Sequence, residues 1–315
     1  MIELSVHLIT YNNENHIVET IESILKQKTD FKYEIVVGDD CSTDNTFEIL
    51  TTYAKTHPEL FNLKRNEQQV GILQNFKNTL DRCKGTYIFD IAGDDMLKQD
   101  YSLQKMVYSL TKDSSLGFVD SGFDALNQTK NTLTKFSNKN TIHASKNDYK
   151  TTLLLGKLNP IGICFNKAYL YKYVDFDTYI NKKITIDDYP ILVDLIMNSN
   201  FITIKESLHI YRSHDQSYSH EKDFNNQLFL KTQMKNLFNY FSYKYDYPKE
   251  IVEVYFKNHN KEVLFLAGYF ENKKIGQESF KKIKSKSAMD YIHYFASQNH
   301  TFRKLLSKVK KLINV

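Results

Sequence analysis

The sequence predicts an α/β protein, a doubly wound and mostly parallel sheet continued by a helical C-terminal region. Three observations carry that reading: apolar runs of strand length, helical spacing of apolar residues between them, and acidic turns where the runs end. Leu4–Ile9, Tyr33–Val37 and Tyr87–Ile91 have the continuous apolar character of strands buried on both faces. Ile17, Ile21, Ile24 and Leu25 repeat at helical spacing, as do Phe47, Leu50 and Ala54, and Ile72, Phe76, Leu80 and Cys83. The resulting order is β-α-β-α-β-α-β, with Tyr87–Ile91 as the fourth strand. The first strand runs into Tyr11-Asn12, the second into Gly38-Asp39-Asp40-Cys41-Ser42-Thr43-Asp44, and the fourth into Gly93-Asp94-Asp95. An open α/β sheet binds its ligands at such carboxyl ends.

Two acidic turns facing one crevice concentrate negative charge and call for a cation. Hard carboxylate oxygens suit Mg²⁺ or Mn²⁺, which keep positions open for substrate phosphates, and so a nucleotide is implied. Further on, Ile186-Asp187-Asp188-Tyr189-Pro190 precedes helical spacing at Ile191, Leu192, Leu195 and Ile196. Pro190 fits a first helical turn, which places both aspartates just before the helix.

Taken in order, these residues resemble the family 2 glycosyltransferases, enzymes of GT-A (Rossmann-like) fold that use nucleotide-activated sugars, over about Leu4 to His220. The resemblance makes Thr10, Tyr11 and Asn12 the start of the nucleotide site, Asp39 and Asp40 its acidic turn with Asp40 on uracil or ribose, and Asn66 to Gly85, with Asn75, the segment closing over the nucleotide. Gly93-Asp94-Asp95 takes the place of an Asp-x-Asp motif, but Ala92 stands where many members carry the first aspartate. Asp95 is therefore assigned to the metal and Asp94 to the ribose or a supporting role. Asp187-Asp188 resembles the family's acidic pair, with Asp188 as general base of a single inverting displacement. Tyr211-Arg212-Ser213-His214 resembles an element near the diphosphate, with Arg212 suited to phosphate oxygens and His214 completing the metal shell. What the resemblance implies is a non-processive hexosyl- or N-acetylhexosaminyltransferase that takes a nucleotide sugar, UDP-linked by expectation, and acts in polysaccharide biosynthesis.

Each motif also has a plain structural reading. Asp39, Asp40 and Asp44 are common turn formers and caps, one of Asp187 and Asp188 could serve only as a helix cap or a favourable charge at a helix dipole, and His214 and His220 could be surface or hydrogen-bonded histidines. The ordered set argues against coincidence. A nucleotidyltransferase on a similar sheet, or a non-catalytic sugar-nucleotide or glycan-binding module, explains Asp187-Asp188 less well.

With 315 residues, 41% of them hydrophobic, the chain can bury a full α/β core and an appended region. The boundaries read as residues 1–220 for the transferase domain, with 1–98 the nucleotide half and 99–220 the acceptor half, and 221–315 for the helical region. Cys41, Cys83 and Cys164 are three, widely spaced and lack metal-ligand pairing, so a reducing, cytoplasmic setting is expected. No leader or spanning segment is read from the sequence. Charge is uneven: residues 273–315 hold eleven basic residues against Glu278 and Asp290, a balance of +9, which leaves −4 on residues 1–272 of a chain that totals +5. Phe302, Leu305, Leu306, Val309, Leu312 and Ile313 fall on one helical face among basic residues. Residues 300–315 thus fit either an interfacial helix on an anionic membrane, near a lipid-linked glycan acceptor, or a helix docked on the protein. No nucleic-acid module accompanies the basic residues, and no nucleic-acid partner is expected.

Overall fold

The structure, a computed structural model, describes residues 2–135, 145–158, 161–214 and 223–304. It divides into two compact units, Met1–Asp215 and Gln216–Val315.

In the first unit, β1 (Leu4–Thr10) is buried along its whole length and lies between β2 (Tyr33–Asp39) and β4 (Tyr87–Ala92), both parallel to it. Their Leu, Ile and Val side chains form the core with Ile17, Ile21 and Ile24 of α1 (Ile17–Leu25). Edge strand β3 (Phe61–Arg65) continues the parallel sheet beside β2 and is followed by α3 (Ile72–Leu80), while α2 (Thr46–Thr56) joins β2 to β3. The expected four-strand, three-helix order is therefore present. β3 lacks an apolar run because it is an edge, and its Lys64 and Arg65 are exposed.

Beyond β4 the sheet becomes mixed. β5 (Met96–Leu97), α4 (Ser102–Thr111), β6 (Leu116–Asn127), β7 (Thr132–Thr134), α5 (Lys146–Leu154), β8 (Ile163–Asn166), α6 (Lys167–Tyr173), α7 (Phe176–Asn181), α8 (Asp188–Asn198) and β9 (Asn200–Ser213) follow in the chain. Across the sheet the order is β3-β2-β1-β4-β8-β6-β9-β5, with β7 on β6. β8 pairs antiparallel with both β4 and β6. The long β9 runs parallel to β6 through several register shifts and returns its far end to β5, immediately after the Gly93-Asp94-Asp95 turn. That return is what carries Arg212 and His214 to the end of β4.

The second unit is helical over its described residues: α9 (Phe224–Lys244), α10 (Lys249–Tyr269), α11 (Lys273–Lys282) and α12 (Ala288–Gln298). Phe238 stacks on Tyr255 at 3.6 Å between ring centres, joining α9 to α10. α10 and α12 approach so closely that a Cβ at Gly268 would lie 2.7 Å from the His293 carbonyl oxygen, which only glycine avoids. His300 and Arg303, at the start of the basic tail, both bind Glu271. The rest of the tail, residues 305–315, lies outside the described residues, as does His220. Among the described residues, no helix is long and apolar enough to cross a membrane.

Candidate active site

The acidic turn after β2 is built inward. Asp39 is fully buried and accepts hydrogen bonds from the Ser42 amide at 3.0 Å and the Ser42 hydroxyl, with the Arg65 guanidinium 3.5 Å away. Burial raises its proton affinity above the usual carboxylate range despite these partners. Asp39, expected among the nucleotide contacts, therefore serves the turn, as the plain reading holds. Asp44 does likewise, accepting the amides of Thr46 and Glu14 at 3.0 Å each. Asp40 has another task. Its Oδ1 accepts from Asn66 Nδ2 at 3.0 Å and the Val70 amide at 2.9 Å, and its Oδ2 accepts from the Gly71 amide at 2.9 Å. Asn75 continues the network by donating to the Gly38 carbonyl at 2.9 Å and accepting from Asn66 at 2.9 Å. The segment entering α3 is thus fastened to the end of β2. Asn12, in the left-handed region at φ 55°, accepts from the Thr43 amide at 2.8 Å and so ties the end of β1 to the same turn. Thr10 is buried at the end of β1, and the Tyr11 ring beside it is 40% exposed, which leaves it open to a flat ligand.

Asp40→Ala would leave two backbone amides and an amide side chain without their acceptor. The expected cost is about 2–3 kcal/mol, a fall in Tm of about 5–10 °C read by calorimetry. An unchanged Tm would show that the fastening contributes nothing.

The turn after β4 is crowded: a Cβ at Gly93 would lie 2.4 Å from Thr10 Oγ1. Asp94 Oδ2 lies 3.0 Å from His214 Nε2, while the Asp95 Oδ1 accepts the Arg212 amide at 3.0 Å. The structure places the two carboxylates differently. Asp95, assigned to direct metal contact, is buried and holds the end of β9, whereas Asp94, given a supporting role, is the carboxylate that meets the other expected ligand. Burial, with Asp94 beside it, pushes the Asp95 carboxyl well above its usual range. Arg212 is held as well. Its side chain is 3% exposed, donates from Nε to the Asp94 carbonyl at 2.9 Å and pairs through Nη2 with Glu19, so it staples the turn to α1 rather than standing open to a diphosphate. His16, unremarked in the sequence, lies with its ring 4.4 Å from that of His214.

Among the described residues, no three His, Cys, Asp or Glu side chains converge closely enough to cage a cation. Asp94 and His214 nevertheless fit a hard divalent ion of the Mg²⁺ or Mn²⁺ kind, which takes one or two protein ligands and completes its shell with water and phosphate.

The third acidic site opens α8. Asp188 is the first helical residue rather than one lying before the helix, and its Oδ1 accepts the Tyr189 amide at 2.6 Å. Asp187 sits at the cap position but makes no capping hydrogen bond, which leaves a favourable charge at the helix dipole as its plain reading. Burial, then Asp188, then Asp90 push the Asp187 carboxyl up to about 8, and burial and Asp90 raise Asp188. Asp90 also raises Asp95, which places it within electrostatic reach of both acidic sites. Neither Asp90 nor its partner His7 was singled out in the sequence. The one available signal was a polar residue inside each of two otherwise apolar strands.

The model of Glycosyl transferase family 2 matches residues 5–176. An uncharacterized protein of Mycobacterium tuberculosis is 34% identical over 109 residues, covering 35% of this chain and 32% of that one. The putative teichuronic acid biosynthesis glycosyltransferase TuaG of Bacillus subtilis is 29% identical over 133 residues, covering 42% of this chain and 51% of TuaG. The chain thus spans about a third to a half of the length of these relatives. Among solved structures, S. aureus TarS 1-349 in complex with UDP-GlcNAc aligns with TM-score 0.53 at 14% identity, over 98% of this chain and 92% of that one. The mannosyltransferase PcManGT of Pyrobaculum calidifontis, in complex with GDP-Man and Mn²⁺, aligns with TM-score 0.53 at 17% identity, over 99% and 81%. The sheet with its helical C-terminal region is a GT-A fold, and the family match spans more than half of the sequence: the chain belongs to glycosyl transferase family 2.

Proposed function

We propose that the chain moves one sugar from a nucleoside-diphosphate sugar, UDP-linked by preference, to a hydroxyl of a glycan or lipid-linked glycan acceptor, with inversion. The observation that carries this reading is the acid pair Asp187-Asp188 at the start of α8, both carboxyls raised in proton affinity by burial, in a chain of this family. Asp188 takes the proton of the acceptor hydroxyl as its oxygen bonds to the anomeric carbon. The bond from that carbon to the diphosphate oxygen breaks, and its electron pair leaves with the diphosphate. Asp187 holds a proton beside the base and keeps the pair from carrying two charges. Asp94 and His214 would hold the divalent ion, which when bound neutralises charge on the departing diphosphate. Tyr11, Asn12, Asp40 and Asn75 frame the nucleotide pocket. Transfer on the cytoplasmic side, with the basic tail on an anionic membrane surface, fits a lipid-linked acceptor.

Melting the protein with a panel of nucleotide sugars and Mn²⁺ should show a raised Tm for its donor, because a ligand that binds only the folded state stabilises it: about 2.7 kcal/mol at a hundred times Kd. The same donor should release nucleoside diphosphate slowly in the absence of acceptor. A raised Tm without any release, with or without candidate acceptors, would favour a binding module instead.

A further inference from the structure

In the helical unit, α9, α10 and α12 together line a groove of about 400 Å³, a volume within the range of small-ligand sites. Two ion pairs join the helices along it. Lys231 of α9 meets Glu262 of α10 at 2.9 Å, and Lys261 of α10 meets Asp290 of α12 at 3.0 Å. Both carboxylates are engaged on one oxygen only. Lys231 donates to Glu262 Oε2, and Asp290 Oδ2 takes the Ser287 amide at 2.7 Å and the Ser287 hydroxyl at 2.8 Å beside Lys261. Glu262 Oε1 and Asp290 Oδ1 accept no hydrogen bond among the described residues, while each ammonium brings three donors to one carboxylate. Beside these charges lies an aromatic face. Phe265, one turn along α10 from Lys261, is 43% exposed, and His293 of α12 meets its ring at 5.0 Å with the two planes at 89°. That perpendicular contact fixes how the Phe265 ring is turned.

Each feature narrows the occupant. The two ammoniums and two carboxylates cancel, so an anion entering the groove would meet Glu262 and Asp290, and a cation would meet Lys231 and Lys261. An acyl chain would strip water from four charges and return no hydrogen bond. A neutral ring with hydroxyls on its rim and C–H bonds on its face suits all three features at once. Its hydroxyls donate to the spare carboxylate oxygens and accept from the ammoniums, and its C–H face covers the Phe265 ring. We propose that this groove binds a neutral glycan, with a sugar ring stacked on Phe265 and hydrogen-bonded to Glu262 and Asp290. That the glycan is the acceptor chain rests on the glycosyltransferase reading; the groove itself does not.

The test starts without turnover, on the full chain. Met289 of α12 lines the groove and is 48% exposed, so its methyl resonance reports an occupant. It should shift when chitotetraose or maltotetraose, two neutral probes, is added, and stay in place with inorganic tripolyphosphate. Phe265→Ala should weaken oligosaccharide binding about ten-fold, and Glu262→Ala several-fold. No shift at Met289 with either oligosaccharide, an equal response to tripolyphosphate, or undiminished binding in Phe265→Ala would overturn the proposal. If Phe265→Ala fails to fold, Glu262→Ala and the wild-type titrations still decide. Release of nucleoside diphosphate from a donor without acceptor should be the same in both variants as in the wild type. A fall in step with oligosaccharide binding would put the probe in the donor site and also overturn the groove. A wild type that shifts at Met289 but releases no diphosphate from any donor would sink the transfer reading and leave the groove standing.

Discussion

Asp188→Asn is expected to lower sugar transfer by about 10²-fold or more while donor binding, read by thermal shift, stays near that of the wild type. Asparagine preserves the volume and can still accept the Tyr189 amide, so the variant removes the proton acceptor and little else. If Asp188→Asn keeps near-normal turnover and Asp187→Asn does not, the assignment within the pair is the reverse. The pair also fixes a pH dependence. Asp187 is pushed up to about 8, above its unfolded value of about 4, so the native state favours its protonated form. Its contribution to stability is then complete at low pH and is lost as pH rises from about 4 to about 8. Asp187→Asn should consequently melt higher than the wild type at pH 8–9 and nearly level with it at pH 4. Transfer runs the other way and should rise with pH over its acid limb, as the pair gives up its second proton.

Removing the divalent ion with a chelator, or its expected ligands by Asp94→Ala or His214→Ala, should weaken nucleoside diphosphate binding at least ten-fold, about 1.4 kcal/mol, together with loss of transfer. Calorimetric titration of UDP with and without Mn²⁺ reads this directly. Full activity of exhaustively chelated wild type would defeat the metal assignment. Asp95→Asn separates the two aspartates: it keeps an acceptor for the Arg212 amide, so diphosphate affinity should change less than in Asp94→Ala.

The first half of the fold was legible because parallel strands covered on both faces need unbroken apolar runs, as in Val6, Leu8, Ile35 and Val37, which are all fully buried. The amphipathic helices between them left equally direct spacing. β3 and the strands beyond β4 were less legible. β3 is a half-exposed edge, and β6 and β9 are long strands whose register shifts break any simple alternation. The acidic motifs could be placed at the ends of β2 and β4 and at the start of α8, but the sequence does not separate one carboxylate from another. Asp39, Asp40, Asp94 and Asp95 are alike in sequence, and only burial and hydrogen bonding set them apart: Asp39 and Asp95 turn inward to hold the chain, and Asp94 meets His214. Arg212 has a partner that the sequence does not show. Its charge suggests a phosphate, but its partner is Glu19, 193 positions away and not discernible without the fold. The positions of His7 and Asp90 were readable as oddities within apolar strands, but their pairing needed the register of β1 on β4.

The fastening of residues 66–71 by the Asp40 carboxylate has a consequence for affinity. A loop free to move would have to be ordered by the arriving nucleotide, at about 1–2 kcal/mol of backbone entropy per residue fixed. Here Asn66, Val70 and Gly71 are already held by one side chain of the acidic turn. Their ordering belongs to folding, so the proposed nucleotide would meet a wall already ordered and keep more of its contact energy as binding.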